Sequence, residues 1–353
     1  MQMNYNQARL IALWQESFGD SRQWIEKYFR YVLNPEFNIS LSHGDKLCSS
    51  LFLVPYKMNL YGKELSCSYV SGACTDIRMR HNGYMSQLMK RALDKSFNQG
   101  DDFMVLIPAN RSLYGYYDHF NFATVFYVNR QHYTSLHNFH GEGLNIRTEN
   151  LNEDKIWEYF STKEKEMSGR ILHSRKDLHN ILWDVEDDSG KIIAVEKNGE
   201  ISGISFVVPE ENAVIVKEIM ADNDSAEKDL LTYITGDYPG KDIIIEARVG
   251  NSDHIMEAKG MLRIVNVRKV LESIAETYPD ISQVIKITDN ILKENNNIFR
   301  IHRGKVEIVT DSRLETDNEM DIKTLAEVLF SSSATGKLFG LPSFRPSMSL
   351  MME

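Results

Sequence analysis

One segment concentrates the chemistry of this sequence: Ser71-Gly72-Ala73-Cys74-Thr75-Asp76-Ile77-Arg78-Met79-Arg80-His81-Asn82-Gly83-Tyr84-Met85. A strand-like stretch ends in a basic, glycine-containing turn and opens directly into a helical pattern with Met85, Leu88, Met89 and Leu93 on one face. A helix begun this way presents unpartnered N–H groups at the positive end of its dipole, which is an anion site. Gly83 lets backbone approach a pyrophosphate closely, and Arg80 and His81 add donors at the rim. An ordinary strand-turn-helix connection with a surface arginine is the plain alternative. Further along, Asn110-Arg111-Ser112-Leu113-Tyr114-Gly115-Tyr116-Tyr117-Asp118-His119-Phe120-Asn121-Phe122 reads as a tyrosine-rich helix, with Tyr114 and Tyr117 on a shared face. Cys48, Cys67 and Cys74 are too few and too irregularly spaced for a disulfide framework or a zinc site, and read as buried free thiols. The histidines His119, His173, His179, His254 and His302 lack ligand spacing, so no metal is expected.

The elements that must hold these residues follow from periodicity. Two amphipathic helices open the chain, the first with Leu10, Ile11, Leu13, Trp14 and Phe18 on one stripe, the second from Trp24 to Val32. From Phe37 to Val70 short apolar runs broken by His43-Gly44-Asp45 and Tyr61-Gly62-Lys63 predict a three-stranded meander whose third strand leads into the basic turn. The helix after Gly83 is followed by a strand at Phe103 to Ile107, the tyrosine-rich helix, and a strand at Thr124 to His132. The order repeats in part: two helical patterns end at Trp183, then comes a hairpin around Asn198-Gly199 and a strand from Val214 to Met220. A helix from Ala226, a strand from Ile243, a helix containing Met256 and a strand from Leu262 to Val267 complete the second copy, without a glycine turn after Met220. Beyond it lie a helix at Lys269 to Glu276, a hairpin across His302-Arg303-Gly304, a helix from Ile322 to Leu329 and a Met-rich, proline-interrupted tail expected to dock. The class is α+β, mixed α/β layers, and not a dinucleotide-binding fold. Three domains are expected: 1–133, 134–264 and 265–353.

At 353 residues, with 42% hydrophobic and 25% charged residues, the whole chain should fold. A net charge of -10 argues against a nucleic-acid partner and weakly favours cationic ligands. The first residues lack an apolar leader core and no run of 18 apolar residues occurs, so the expected location is cytoplasmic, with no membrane partner.

The basic turn resembles the acetyl-CoA signature [QR]-x-x-G-x-[GA] of the GNAT superfamily of N-acetyltransferases, matched by Arg80, His81, Asn82, Gly83 and Tyr84, with Met85 departing at the last position. The tyrosine-rich helix resembles that family's N-x-x-A…Y-x-x-x-G-F segment, Asn110 beginning it and Asn121 standing for the glycine. Asn tolerates the left-handed conformation of a helix C-cap, so that exchange is mild. The layout of two such units and a smaller α+β unit is similar to the Eis (enhanced intracellular survival) group, whose third domain is sterol-carrier-like. The resemblance implies acetyl-CoA as co-substrate, bound by Arg80 to Met85 and Asn110. Backbone groups at Ala73, Cys74 and Thr75 would hold pantetheine and the thioester carbonyl. Tyr117 would be general acid, with Tyr114 and Tyr116 as competing phenols, and the terminal carboxylate of Glu353 would be general base. A homo-oligomer is also implied.

The implied acceptor is a primary amine on a small molecule or peptide. A lysine-like amine, pKa ~10.4, is neutral only about once in 10^3 at pH 7, so a base is needed. A main-chain carboxylate, pKa ~3.5, matches that task only if burial raises it or water relays the proton. The alternative reading is a catalytically degenerate unit carrying a lipid in the third domain. Transfer to an aminoacyl-tRNA amine is a further enzymatic option, against which the acidic balance speaks.

Overall fold

The computed structural model describes residues 5–143, 145–148, 151–248, 256–310, 315–330 and 338–352. In chain order the helices are α1 (Tyr5–Phe18), α2 (Arg22–Tyr31), α3 (Tyr84–Gln99), α4 (Arg111–Asp118), α5 (Glu153–Lys165), α6 (Arg175–Asp187), α7 (Asp224–Asp237), α8 (Val267–Thr277) and α9 (Ile322–Phe330). The strands are β1 (Asn38–His43), β2 (Lys46–Leu60), β3 (Lys63–Thr75), β4 (Phe103–Leu106), β5 (Ala123–Tyr133), β6 (Asn145–Arg147), β7 (Arg170–Leu172) and β8 (Lys191–Lys197). They continue as β9 (Glu200–Pro209), β10 (Ala213–Ala221), β11 (Asp242–Arg248), β12 (Glu257–Ile264), β13 (Gln283–Thr288), β14 (Asn297–His302), β15 (Lys305–Val309) and β16 (Asn318–Asp321). The expected helix at Met256 is not what that residue forms: Met256 lies in irregular backbone directly before β12, a strand exposed at Glu257 and Ala258 and buried throughout from Gly260 to Ile264. The third strand stops at Thr75, because the Asp76 carboxylate draws the chain into a short 3-10 turn, Ile77–Met79.

Two compact units emerge, and the chain crosses between them more than once: 1–125 with 259–344 in the first, Phe126–Ala258 with Arg345–Met352 in the second. In the first unit β1, β2 and β3 form the antiparallel meander, β4 joins β3 in parallel, and β12 pairs antiparallel with β4. The same unit holds a separate four-stranded sheet, ordered β15-β14-β13-β16. In the second unit β6, β8, β9 and β10 are antiparallel neighbours, β11 joins β10 in parallel, and β5 pairs antiparallel with β11. Both units thus build a meander, a helix, a parallel strand and a final antiparallel strand, but each takes that last strand from the other half of the sequence.

Local sequence explains the elements. Tyr61-Gly62 and Asn198-Gly199 both adopt positive φ at consecutive positions, the hairpin geometry that matches strand twist. Side-chain oxygens of Ser21, Asn152, Ser174, Asn223 and Asn266 cap α2, α5, α6, α7 and α8. In the second unit strand alternation supplies two cores. Ile193, Val195 and Val207 pack towards Leu230 and Ile234 of α7, while Ala194, Phe206 and Val208 pack towards Phe160, Leu178 and Ile181 of α5 and α6. The first unit's core joins Leu53, Val70, Leu88, Met89 and Leu106 to Tyr117, Phe120 and Phe122, and to Met261 and Val265.

Candidate active site

The end of β3 is shaped by one glycine. Across β2, Ser50 faces Cys74 and Phe52 faces Ser71, so Gly72 and Ala73 together oppose Leu51: a bulge. Gly72 has φ 59, and a Cβ there would lie 2.0 Å from a ring carbon of Trp14 on α1. Only glycine satisfies both demands. Trp14 is fixed in turn, its Nε1 donating to Asp20 at 2.8 Å and its ring packed among Phe18, Tyr28, Phe29 and Phe52. Beyond the bulge Ser49 Oγ donates to the Cys74 carbonyl at 3.0 Å and shares a hydrogen bond with Thr75 Oγ1 at 2.7 Å. Burial pushes the Cys74 thiol up to about 12, so it is not a nucleophilic thiolate at neutral pH. Among the described residues, the parallel ladder with β4 covers only Cys67 to Tyr69 against Phe103 to Val105, while β3 runs on to Thr75. The backbone edge from the bulge onwards therefore faces β4's side without a ladder partner there.

The basic turn follows. Asp76 accepts from Arg78 backbone and guanidinium and from Lys46, and Arg78 holds its carboxyl well below the usual carboxylate range. Arg80 Nε donates to the Thr75 carbonyl at 3.2 Å, and Asn82 Nδ2 to the carbonyls of Met79 and Arg80 at 3.1 Å. Carbonyls are tied inward by side chains while His81 and Gly83 take the left-handed conformation, φ 65 and 77. No side chain caps Gly83, and the Gly83 carbonyl receives the Gln87 N–H. Tyr84, Met85 and Ser86 thus start α3 with N–H groups that have no intrahelical acceptor. A Cβ on Gly83 would meet nothing within 4 Å and would project into open space. The side chains of Tyr84 and Met85 pack against the core, which is how a bulky residue is accommodated at the signature's last position. The second unit differs at the equivalent place, where the Asn223 side chain accepts from Ala226 N and closes the start of α7.

Asn110 caps α4, its Oδ1 accepting from Ser112 N at 3.1 Å and Ser112 Oγ at 2.6 Å. Tyr117 lies 7% exposed in the core that also contacts Ala73, Tyr84 and Met85, between the rings of Tyr116 and Phe122. Burial, with a smaller contribution from Tyr116, raises its phenol to about 12. It stays protonated at physiological pH. Tyr116 is half-buried, and its hydroxyl stands 3.4 Å from Ser86 Oγ in the first turn of α3. Tyr114 packs against the same core. Asn121 adopts φ 60, as expected for the residue replacing glycine, and its Nδ2 also donates to Asn290 Oδ1 at 2.7 Å. The structure therefore brings Ala73, Tyr84, Met85, Tyr116 and Tyr117 into one region of the first unit.

Glu353 lies outside the described residues. The segment before it, Arg345–Met352, belongs to the second unit. Ser347 forms a parallel bridge beside β7, donating to Gly169 O at 3.0 Å and accepting from Ile171 N at 3.1 Å, while Met348, Met351 and Met352 are buried. Ser349 Oγ donates to Glu218, which also pairs with the buried Arg170 guanidinium at 2.8 Å. Among the described residues no group of His, Cys, Asp or Glu is arranged to hold a metal ion.

Residues 6–125 match the acetyltransferase (GNAT) domain family, and residues 267–339 match the sterol carrier protein domain family. No curated protein matches the chain. A probable N-acyltransferase from Enterococcus faecalis is similar in structure with TM-score 0.77 at 16% identity, over 95% of this chain and 90% of that one. A GCN5-related N-acetyltransferase from Anabaena variabilis is similar with TM-score 0.75 at 16% identity, over 93% and 88%. Eis1 from Mycobacterium abscessus is similar with TM-score 0.72 at 13% identity, over 100% and 96%. At these identities the likeness is one of fold, and it extends over the whole chain.

Proposed function

We propose that the chain is an N-acetyltransferase that carries an acetyl group from acetyl-CoA to a primary amine by direct attack in a ternary complex. The observation that carries this reading is the bulge at Gly72-Ala73 running into the uncapped start of α3, with tyrosines of α4 in the same core. The N–H groups of Tyr84, Met85 and Ser86 would take the pyrophosphate, with Arg80, His81 and Asn82 shaping the rim and Asn110 fixing the start of the tyrosine helix. Pantetheine would run along the open edge of β3, and backbone at Ala73 to Thr75 would polarise the thioester carbonyl. Attack by the neutral amine forms the C–N bond; collapse breaks the C–S bond and releases CoA thiolate, protonated by Tyr117. With the phenol raised to about 12 in the core and a thiol of ~8.5 in water, that transfer would run uphill. The low-dielectric surroundings that raise the phenol raise the thiol in the same direction, so the mismatch in the site is smaller than these figures suggest. The terminal main-chain carboxylate of Glu353 would take the amine proton, and a homo-oligomer is the assembly the resemblance implies.

The reading of a lipid carrier draws less support. The sterol carrier match spans 267–339. One cavity at this segment, of about 360 Å³, is lined by Asn121, Thr288, Asp289, Asn290, Asn296 and Asp321, polar residues that do not favour an apolar ligand at that place.

The decisive test is binding of acetyl-CoA by calorimetry to the wild type and to Gly83→Asp. The substitution places a carboxylate in the space the anion must enter and is expected to weaken binding at least 100-fold. Equal affinity in the two proteins removes the pyrophosphate assignment and the proposed activity with it.

A further inference from the structure

Arg263 is a fully buried cation that the acyl-transfer reading does not use. It stands on β12 opposite Met104 of β4, and each branch of its guanidinium has an acceptor. Nε donates to the Phe120 carbonyl at 3.1 Å, Nη1 to the Ile264 carbonyl at 2.6 Å, and Nη2 to Asp289 Oδ2 at 2.5 Å. Asp289 is saturated as well: Oδ1 accepts from Ile291 N and Leu292 N, and Oδ2 also accepts from Asn295 Nδ2. Asn295 in turn holds Val265 O and Val267 N, so the pair is anchored at both ends of the network.

What the pair grips is the exit of the tyrosine helix. The N–H groups of Phe120 and Phe122 both bond to the Tyr117 carbonyl, and Asn121 N bonds to Asp118 O, closing residues 117–122 into a compact turn. Arg263 holds that turn by the Phe120 carbonyl. Two further ties reach the same turn from the surface: Asn290 to Asn121, and Lys323 to Asp118. An apolar side chain of similar volume could fill the space of a buried ion pair without loss of stability. A rigid, directional guanidinium suits a helix end that must sit at a defined position.

Resting on the reading of Tyr117 as general acid, we propose that the Arg263–Asp289 pair, with Asn290 and Lys323 beside it, positions the Tyr117 hydroxyl. The segment that follows the acetyltransferase domain would then be the mount of its catalytic helix. Arg263 is a positioning residue here, acting through Tyr117, and a displacement of about 1 Å at a reacting group is enough for a rate loss on the order of 100-fold.

The test compares Arg263→Lys, Tyr117→Phe and the double variant, measuring acetyl-CoA affinity and stoichiometry by calorimetry and CoA thiol release at saturating amine, expressed per bound acetyl-CoA. Arg263→Lys is expected to lower kcat at least ~10-fold with acetyl-CoA affinity within about threefold. In the Tyr117→Phe background the same change is expected to have no further effect, because the two act through one group. Unchanged turnover per bound acetyl-CoA in Arg263→Lys, or losses that multiply in the double variant, overturns the proposal. Full turnover by Tyr117→Phe refutes the acid assignment itself, a distinct result. If Arg263→Lys does not melt cooperatively, Asp289→Asn reads the contact from its other side, and Asn290→Ala with Lys323→Ala severs the exposed ties without touching the core. Wild-type turnover per bound acetyl-CoA in whichever of these folds also overturns it.

Discussion

Gly72 and Tyr117 show how single residues set the proposed chemistry. At Gly72, φ 59 and a Trp14 ring carbon 2.0 Å from any Cβ act together, so Gly72→Ala must displace Trp14 or flatten the bulge. A destabilisation of about 2–4 kcal/mol is expected, read as a fall in Tm of several degrees, together with loss of acetyl transfer. An unchanged Tm would show that the close approach is not there in solution. At Tyr117 the raised phenol has a pH signature. The folded state holds its proton more tightly than the unfolded chain, whose tyrosine ionises near ~10. The stabilisation this confers is fully present below pH ~10 and is lost as pH rises towards about 12. For catalysis the consequence is that kcat should show no falling alkaline limb from this group below pH ~10. A limb near pH ~10 that disappears in Tyr117→Phe would place the hydroxyl in a far wetter setting than this core.

Elements were more legible in the sequence than their partners. Periodicity found α1, α2, the meander, α3 and α4, and Asn198-Gly199 marked its hairpin, because each signal lies within a few residues of the structure it forms. It also placed the basic turn between β3 and α3. It could not assign β5 and β12. Both read as closing strands of their own repeat, but β5 pairs with β11 and β12 with β4, and alternation carries no record of which neighbour a strand will take. The bulge partner Trp14 and the clamp residue Arg263 were silent for a related reason: a tryptophan on an apolar helix stripe and a lone arginine in a strand acquire their roles only through distant contacts. The exchange makes a sharp prediction for the fragment 1–133. It would leave β4 without β12 and β5 without β11, two unpaired edges and an uncovered core. Circular dichroism should show no cooperative melt for the fragment alone, and co-expression with 134–353 should restore one. A fragment that melts cooperatively by itself would mean that the exchange is not needed for folding.

At the scale of the whole chain, the C-terminal segment matters because the second unit invests a buried charge network in holding it. Arg170 sits fully buried between Glu164 and Glu218, His173 donates its backbone N–H to Glu164, and Ser349 closes the arrangement on Glu218. Charges desolvated to this degree need every partner they have. The Met348 and Met351 side chains add apolar burial worth roughly 1.5–3 kcal/mol each. Two truncations separate this docking from the proposed base. Removing Met352 and Glu353 leaves Ser347, Met348, Ser349 and Met351 in place. It is expected to keep Tm within a few degrees and acetyl-CoA affinity unchanged while cutting acetyl transfer at least 100-fold. Removing 345–353 also deprives Glu218 of Ser349 and opens the Arg170 cluster to water, so Tm should fall by several degrees more. Wild-type turnover from the shorter truncation would show that the tail's function ends at docking, with the amine proton taken by another group or by water.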